Sequence, residues 1–193
     1  MGLTVEKCLQ AWTNSLKQMN AKADIVFFGD SLVYYGDFAS LFPNKVVYNL
    51  GLRGDTIQGL INRLEQVVIL KPQVLFIMAG INDITSLTTE EFEEVYTRLI
   101  NAIKLNLPKT KIITLSILPV NNSSFIISCN NEQVIECNKV VSRIAFEDKI
   151  TFMDLFSQYL ENGELPCELT KDGIHLKPNG YKRWYKSLIN LNY

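Results

Sequence analysis

Five short apolar runs punctuate the chain, and each ends in small or polar residues. Residues 24–28 (DIVFF) lead into Gly29-Asp30-Ser31, residues 45–48 (KVVY) into Asn49-Leu50-Gly51, and residues 73–78 (QVLFIM) into Ala79-Gly80-Ile81-Asn82-Asp83. Residues 111–117 (KIITLSI) end at Leu118-Pro119, and residues 149–153 (KITFM) at Asp154. Continuous apolar runs of this kind suit strands covered on both faces, hence a parallel sheet. Between them, apolar positions recur at helical spacing. Ile57, Leu60, Ile61, Leu64 and Val68 form one stripe over 56–68. Phe92, Val95, Leu99, Ala102 and Ile103 form another over 92–105, with Thr88 and Thr89 ahead of Glu91 as a cap. The pattern predicts further helices over 5–19, over 134–146 and from Pro178 through Leu191, proline being tolerated in a first helical turn.

Strand–helix alternation repeated five times predicts a three-layer α/β/α domain around a doubly wound, five-stranded parallel sheet. The length favours one domain spanning 1–193. In such sheets ligands bind beyond the carboxyl ends of the strands, near the switch point. That rule singles out Asp30, Ser31, Asn49, Arg53, Asn82 and Asp83.

Composition narrows the functional classes. A hydrophobic content of 47% is ample for a core and excludes disorder. With 19 basic and 20 acidic side chains the net charge is −1, so no basic excess exists to hold a nucleic-acid backbone. Cys8, Cys129, Cys137 and Cys167 form no C-x-x-C pair and read as reduced thiols. The opening residues lack a signal-peptide pattern, and Gly2 lacks the Ser or Thr at position 6 that myristoylation wants, which here is Glu6. The apolar runs are too short to span a bilayer. A cytoplasmic protein without a membrane span is expected.

The single histidine, His175, lies three residues after Asp172 in Lys171-Asp172-Gly173-Ile174-His175-Leu176. A carboxylate at that range can orient an imidazole, and an oriented imidazole is a competent general base. Ser31, directly after the first strand, is the candidate nucleophile, and its own N–H could face charge developing beside its Oγ. The competing reading makes Ser31 a helix cap, and on this motif alone the two stand level. Gly54 could offer an unobstructed N–H and Asn82 a side-chain amide to an oxyanion. Each feature alone marks only a turn or strand exit. Their joint occurrence at one sheet edge carries the weight.

These residues resemble the SGNH (GDSL-type) hydrolases, a superfamily of esterases and acylhydrolases. Gly29-Asp30-Ser31, Asn49-Leu50-Gly51-Leu52-Arg53-Gly54-Asp55, Gly80-Ile81-Asn82-Asp83 and Asp172-Gly173-Ile174-His175-Leu176 resemble its four blocks, in order, across nearly the whole chain. The resemblance implies a flavodoxin-like strand order 2-1-3-4-5. It implies Ser31 as nucleophile, His175 as base and Asp172 as its orienter, with Ser31, Gly54 and Asn82 forming the oxyanion hole. Gly180-Tyr181 and Trp184 resemble the small bacterial members related to platelet-activating-factor acetylhydrolase subunits. Arg53 departs from that group, where a small residue is commoner. It reads as a surface arginine or as a contact for an anionic substrate group.

The expected activity is hydrolysis of short acyl esters, acetyl esters of sugars included, with no metal or cofactor. A lysophospholipase or thioesterase acting on longer chains is the alternative within the same chemistry. Phe125, in the long stretch after the fourth run, could line an acyl site or pack beneath its loop. A carboxylate Mg²⁺ site from Asp30, Asp83 and Asp172 lacks a phosphate-binding G-x-x-x-x-G-K loop beside it. Asp30 and Asp83 read instead as struts fixing the strand exits. A non-catalytic flavin- or nucleotide-binding module would need a phosphate nest after the first strand, where Asp30 supplies a repelling carboxylate. The partner expected is a small-molecule ester, and the oligomeric state is left open, a homodimer included.

Overall fold

Successive residues of a strand point to opposite faces, and in the central strands of this chain both faces are dry. The computed structural model describes residues 4–189. Strands β1 (Ile25–Gly29), β2 (Val47–Gly51), β3 (Val74–Met78), β4 (Lys111–Leu115) and β5 (Thr151–Met153) form one parallel sheet, ordered β2-β1-β3-β4-β5. The described helices are α1 (Val5–Gln18), α2 (Ser31–Tyr34), α3 (Ile57–Asn62), α4 (Glu65–Leu70), α5 (Thr89–Asn106), α6 (Asn131–Glu147), α7 (Phe156–Tyr159) and α8 (Pro178–Ile189), with a 3₁₀ turn at Ala39–Leu41. Gly2 and the end of the predicted last helix, at Leu191, lie outside the described residues.

Val26, Phe28, Leu75 and Ile77 face a core shared with Leu16 of α1, Leu60 of α3, Val67 of α4, Leu99 of α5 and Val141 of α6. Ile25, Phe27, Phe76 and Met78 face a second core with Leu32 of α2, Tyr159 of α7 and Trp184 of α8. In that second core Phe27 stacks on Phe38 at 3.9 Å and on Phe76 at 4.6 Å between centroids. Such pairs contribute roughly 0.5–1.5 kcal/mol each beyond area burial. The three-layer architecture and the 2-1-3-4-5 order agree with the sequence reading.

Two expectations about elements need correction. The helix expected over 56–68 is divided into α3 and α4, with Arg63 outside helical geometry at φ −113°, ψ 16°. The break falls where the apolar stripe is interrupted by an arginine whose guanidinium turns inward to a buried carboxylate. The second strand runs over Val47–Gly51 rather than 45–48, because its residues stay paired with β1 as far as Gly29. The expected capping of the long third-strand crossover is observed: Thr88 Oγ1 accepts from Glu91 N, and the Glu91 carboxylate accepts from Thr88 N.

Candidate active site

Register decides which loops meet. Gly29, the last residue of β1, is paired with Gly51 at the end of β2 and with Met78 at the end of β3. The three strands therefore release their following loops side by side at the switch point, where β2 and β3 flank β1. The approach is close: a Cβ on Gly29 would stand 2.1 Å from the Met78 carbonyl oxygen.

Asp30 caps α2, its Oδ1 accepting from Leu32 N at 2.8 Å. Ser31 is thus the first residue of that helix and not its cap, which removes the structural reading that had stood level. Ser31 Oγ and His175 Nε2 are 2.8 Å apart, although 144 residues separate them. His175 Nδ1 lies 2.7 Å from Asp172 Oδ2. A carboxylate accepts only, so Nδ1 carries the proton, Nε2 accepts, and the Ser31 hydroxyl donates to it. Asp172 Oδ1 also accepts from Ile174 N and His175 N at 3.1 and 2.8 Å. Partial burial works to raise the Asp172 pKa, but the bonds from His175 and Ile174 outweigh it and hold the carboxyl below its ordinary value.

The loop carrying this pair is closed by Thr170, whose Oγ1 donates to the His175 carbonyl and accepts from Gly173 N. Gly173 adopts φ +91°, which admits glycine at little cost. Helix α8 follows directly, and Tyr181 Oη donates to the Leu32 carbonyl at 2.7 Å, joining it to α2.

The second and third blocks are tied to each other. Asn49 Nδ2 donates to the carbonyls of Val33 and Gly36, and its Oδ1 accepts from Gly51 N. Gly54 is exposed at φ +71°. Asn82 Nδ2 donates to the Asp55 carbonyl at 2.8 Å, leaving its second amide hydrogen free for another acceptor. As the first residue of α2, Ser31 presents an N–H with no intrahelical acceptor.

Behind these loops lie three buried carboxylates and one arginine. Burial pushes the Asp30 carboxyl up to about 7; the Leu32 N–H opposes this, and Asp55 and Asp83 add to it. Burial also pushes Asp83 up to about 6, against the Ile57 N–H that its carboxylate accepts. Asp55 is raised by burial despite its ion pair with Arg63, at 2.7 Å between Oδ2 and Nε. Asp30 and Asp83 are the struts expected at the strand exits. Arg63 was not foreseen. Its Nη2 donates to the Gly29 carbonyl at 3.0 Å and its guanidinium lies 4.5 Å from the centre of the Phe28 ring. Tyr35 was also not foreseen; its ring meets His175 edge-on at 5.7 Å.

Arg53 is exposed, 5.8 Å from the centre of Tyr35. Phe125 is half-buried, and a Cβ on Gly173 would stand 3.0 Å from its Cβ, so this residue packs on the histidine loop. Its neighbour Ile127 packs against the main core, whereas Ile126 is fully exposed. The carboxylates weighed as a Mg²⁺ site do not act together: Asp172 is engaged with His175, and Asp30 and Asp83 accept from separate helix starts. Among the described residues no group of three His, Cys, Asp or Glu could hold a metal ion. All four cysteines are free. No helix among the described residues is long and apolar enough to cross a membrane.

Similarity to known proteins follows the same outline. No curated protein matches the chain. Among solved structures, a Streptococcus pneumonia protein described under platelet activating factor superposes with a TM-score of 0.84 at 27% identity, covering 96% of this chain and 93% of its own. A GDSL-like lipase from Bacteroides thetaiotaomicron superposes with a TM-score of 0.77 at 20% identity, covering 96% and 95%. A catalytic mutant of an acetylxylan esterase from Geobacillus stearothermophilus superposes with a TM-score of 0.70 at 21% identity, covering 88% and 93%. The last two likenesses concern the fold. Residues 27–183, from the first strand into the last helix, match the GDSL-like Lipase/Acylhydrolase family. With the four blocks meeting at one sheet edge and that match spanning them all, the chain belongs to the GDSL-like lipase/acylhydrolase family, and it is a hydrolase.

Proposed function

We propose that this protein is a serine esterase that cleaves short acyl esters, acetyl esters above all, through an acyl-enzyme on Ser31. The observation that carries the reading is the unbroken chain of hydrogen bonds from Ser31 Oγ through His175 to Asp172, at 2.8 and 2.7 Å. In the first step His175 Nε2 takes the Ser31 proton as Oγ bonds to the ester carbonyl carbon. The tetrahedral oxyanion is received by the N–H groups of Ser31 and Gly54 and the free amide hydrogen of Asn82. The proton on Nε2 passes to the leaving alcohol as its C–O bond breaks. Water then repeats the attack, freeing the acid and restoring the serine. Asp172 keeps the proton on Nδ1 and favours the imidazolium that forms in each step.

Short acyl groups are favoured by the openness of the site. Gly54 and Asn82 are exposed, and His175 is only half-buried. The acetylxylan esterase among the structural neighbours is in keeping with this choice. The alternative of a non-catalytic flavin or nucleotide module is set aside by the family, and Asp30 fills the helix start where a phosphate would bind.

The test is hydrolysis of p-nitrophenyl esters across acyl lengths, with Ser31→Ala as the blank. The expected result is a preference for acetyl and a kcat lowered by on the order of 10⁴-fold or more in the variant. Retained activity in folded Ser31→Ala would remove Ser31 as nucleophile, and a preference for long chains would move the substrate to lipids or thioesters.

A further inference from the structure

Tyr35 stands beside the histidine, and two cations converge on it. The Arg53 guanidinium is 5.8 Å and the Lys171 ammonium 5.2 Å from the centre of its ring. Arg53 comes from the loop after β2 and Lys171 from the histidine loop, so the fold and not sequence proximity brings them together. Neither has a carboxylate within ion-pairing distance among the described residues, although most other arginines of this chain do. The nearest acid on the histidine loop, Asp172, is committed to His175. A chain of net charge −1 therefore concentrates unpaired positive charge at the mouth of its active site.

Tyr35 also lines a groove of about 340 Å³ with Leu176, Pro178 and Tyr181; Lys171 and Lys182 line it as well, against one carboxylate, Asp37. The groove offers an apolar floor for the body of a ligand and positive charge from Lys171 and Lys182; Arg53 is outside its lining and borders it through the shared Tyr35 ring. Arginine adds a planar fork that matches a carboxylate or phosphate.

Resting on the esterase reading above, we infer that the substrate is an ester whose alcohol portion bears a carboxylate or phosphate, held between Arg53 and Lys171 with its body against Tyr35. The anion stays outside the reacting centre. It sets the pose of the ester over Ser31 and takes no part in bond making.

The test compares three acetyl esters of closely similar shape: para-acetoxybenzoate, para-acetoxyphenyl phosphate and the neutral methyl para-acetoxybenzoate. At low ionic strength one of the two anionic esters, or both, is expected to show kcat/KM about tenfold or more above the neutral ester, mostly through KM. Which anion gains more identifies a carboxylate or a phosphate as the natural group. The ratio falls toward one in Arg53→Gln with Lys171→Gln, and in parent protein at about 1 M salt, where the Debye length is about 3 Å. Lys109→Gln, in the turn before β4 at the amino ends of the strands, keeps the ratio. Equal turnover of all three esters, or a preference that survives the double substitution, would overturn the inference while leaving the esterase reading intact. Absence of Ser31-dependent turnover of any ester would overturn the esterase reading instead. Calorimetric titration of Ser31→Ala with para-acetamidobenzoate and para-acetamidophenyl phosphate, against methyl para-acetamidobenzoate, then decides the anion site by itself. Tighter binding of an anion, lost in the double variant, sustains the site, and equal binding refutes it.

Discussion

The Arg63 guanidinium donates to the Gly29 carbonyl at 3.0 Å, and so grips the strand residue two places before the candidate nucleophile. The same side chain holds Asp55 Oδ2, while the Asp55 carbonyl accepts from Asn82 Nδ2. One buried arginine thus spans the loops after β1, β2 and, through Asp55, β3.

Removing that arginine has a stability and an activity consequence. Arg63→Met leaves the Asp55 charge buried without its partner, a change that costs about 3–5 kcal/mol. Urea unfolding is expected to register that loss, with kcat reduced as the strand exits shift. Adding Asp55→Asn removes the unpaired charge and restores much of the stability, but not the grip on Gly29, so activity stays low. A single variant within about 1 kcal/mol of the parent would mean the pair does not hold these loops.

Asn82 is predicted to act on the transition state. Asn82→Ala is expected to lower kcat by roughly 10²–10³-fold with little change in KM, the signature of a lost oxyanion donor. A change confined to KM would assign Asn82 to substrate binding.

Asp172→Asn keeps an acceptor oxygen near Nδ1 but removes the charge and permits the wrong imidazole tautomer. In a serine triad that exchange costs about 10⁴ in kcat. A loss below about tenfold at neutral pH would show that the bonds from Ile174 and the His175 backbone suffice to orient the loop.

Buried acids give stability a direction in pH. The folded pKa of Asp30 is raised from 3.8 to about 7 and that of Asp83 to about 6, both chiefly by burial. A raised carboxyl pKa contributes stability fully present below the unfolded value, which is lost as pH climbs through the folded value. From these two groups, the urea midpoint is expected to fall between about pH 4 and 7. Asp30→Asn keeps an acceptor for Leu32 N without the titration, so its midpoint declines less over the same window. Equal slopes in parent and variant would show that Asp30 carries its charge in the fold as readily as in the unfolded chain.

The sheet was legible because its central strands are buried on both faces, which writes them as unbroken apolar runs, whereas half-exposed β2 left its bounds uncertain to pattern alone. Of the candidate site, Ser31 and Asn82 were legible because they follow strands, and the Asp172–His175 pair because its members stand three apart just ahead of the last helix; the structure brings Ser31 and His175 together. Arg63 was not legible, because its partners, Asp55 and Gly29, lie 8 and 34 residues away and only tertiary packing reveals an inward arginine at the break between two apolar helices. Helix α7 has four residues, too few for any periodicity to show. Tyr35 carries no motif; only the fold puts its ring against the imidazole.

Asp172 and His175 occupy one short turn braced by Thr170, so the carboxylate and the imidazole travel as a unit. Their mutual geometry is fixed by bonds within seven residues of chain, Thr170 to Leu176. The turn meets Ser31 through His175 Nε2, and the Tyr181–Leu32 bond joins the helix that follows it to α2. Tyr181 and Trp184 of α8 also share a core with Phe27 and Phe76, so the packing that holds the sheet is what delivers the turn to the serine.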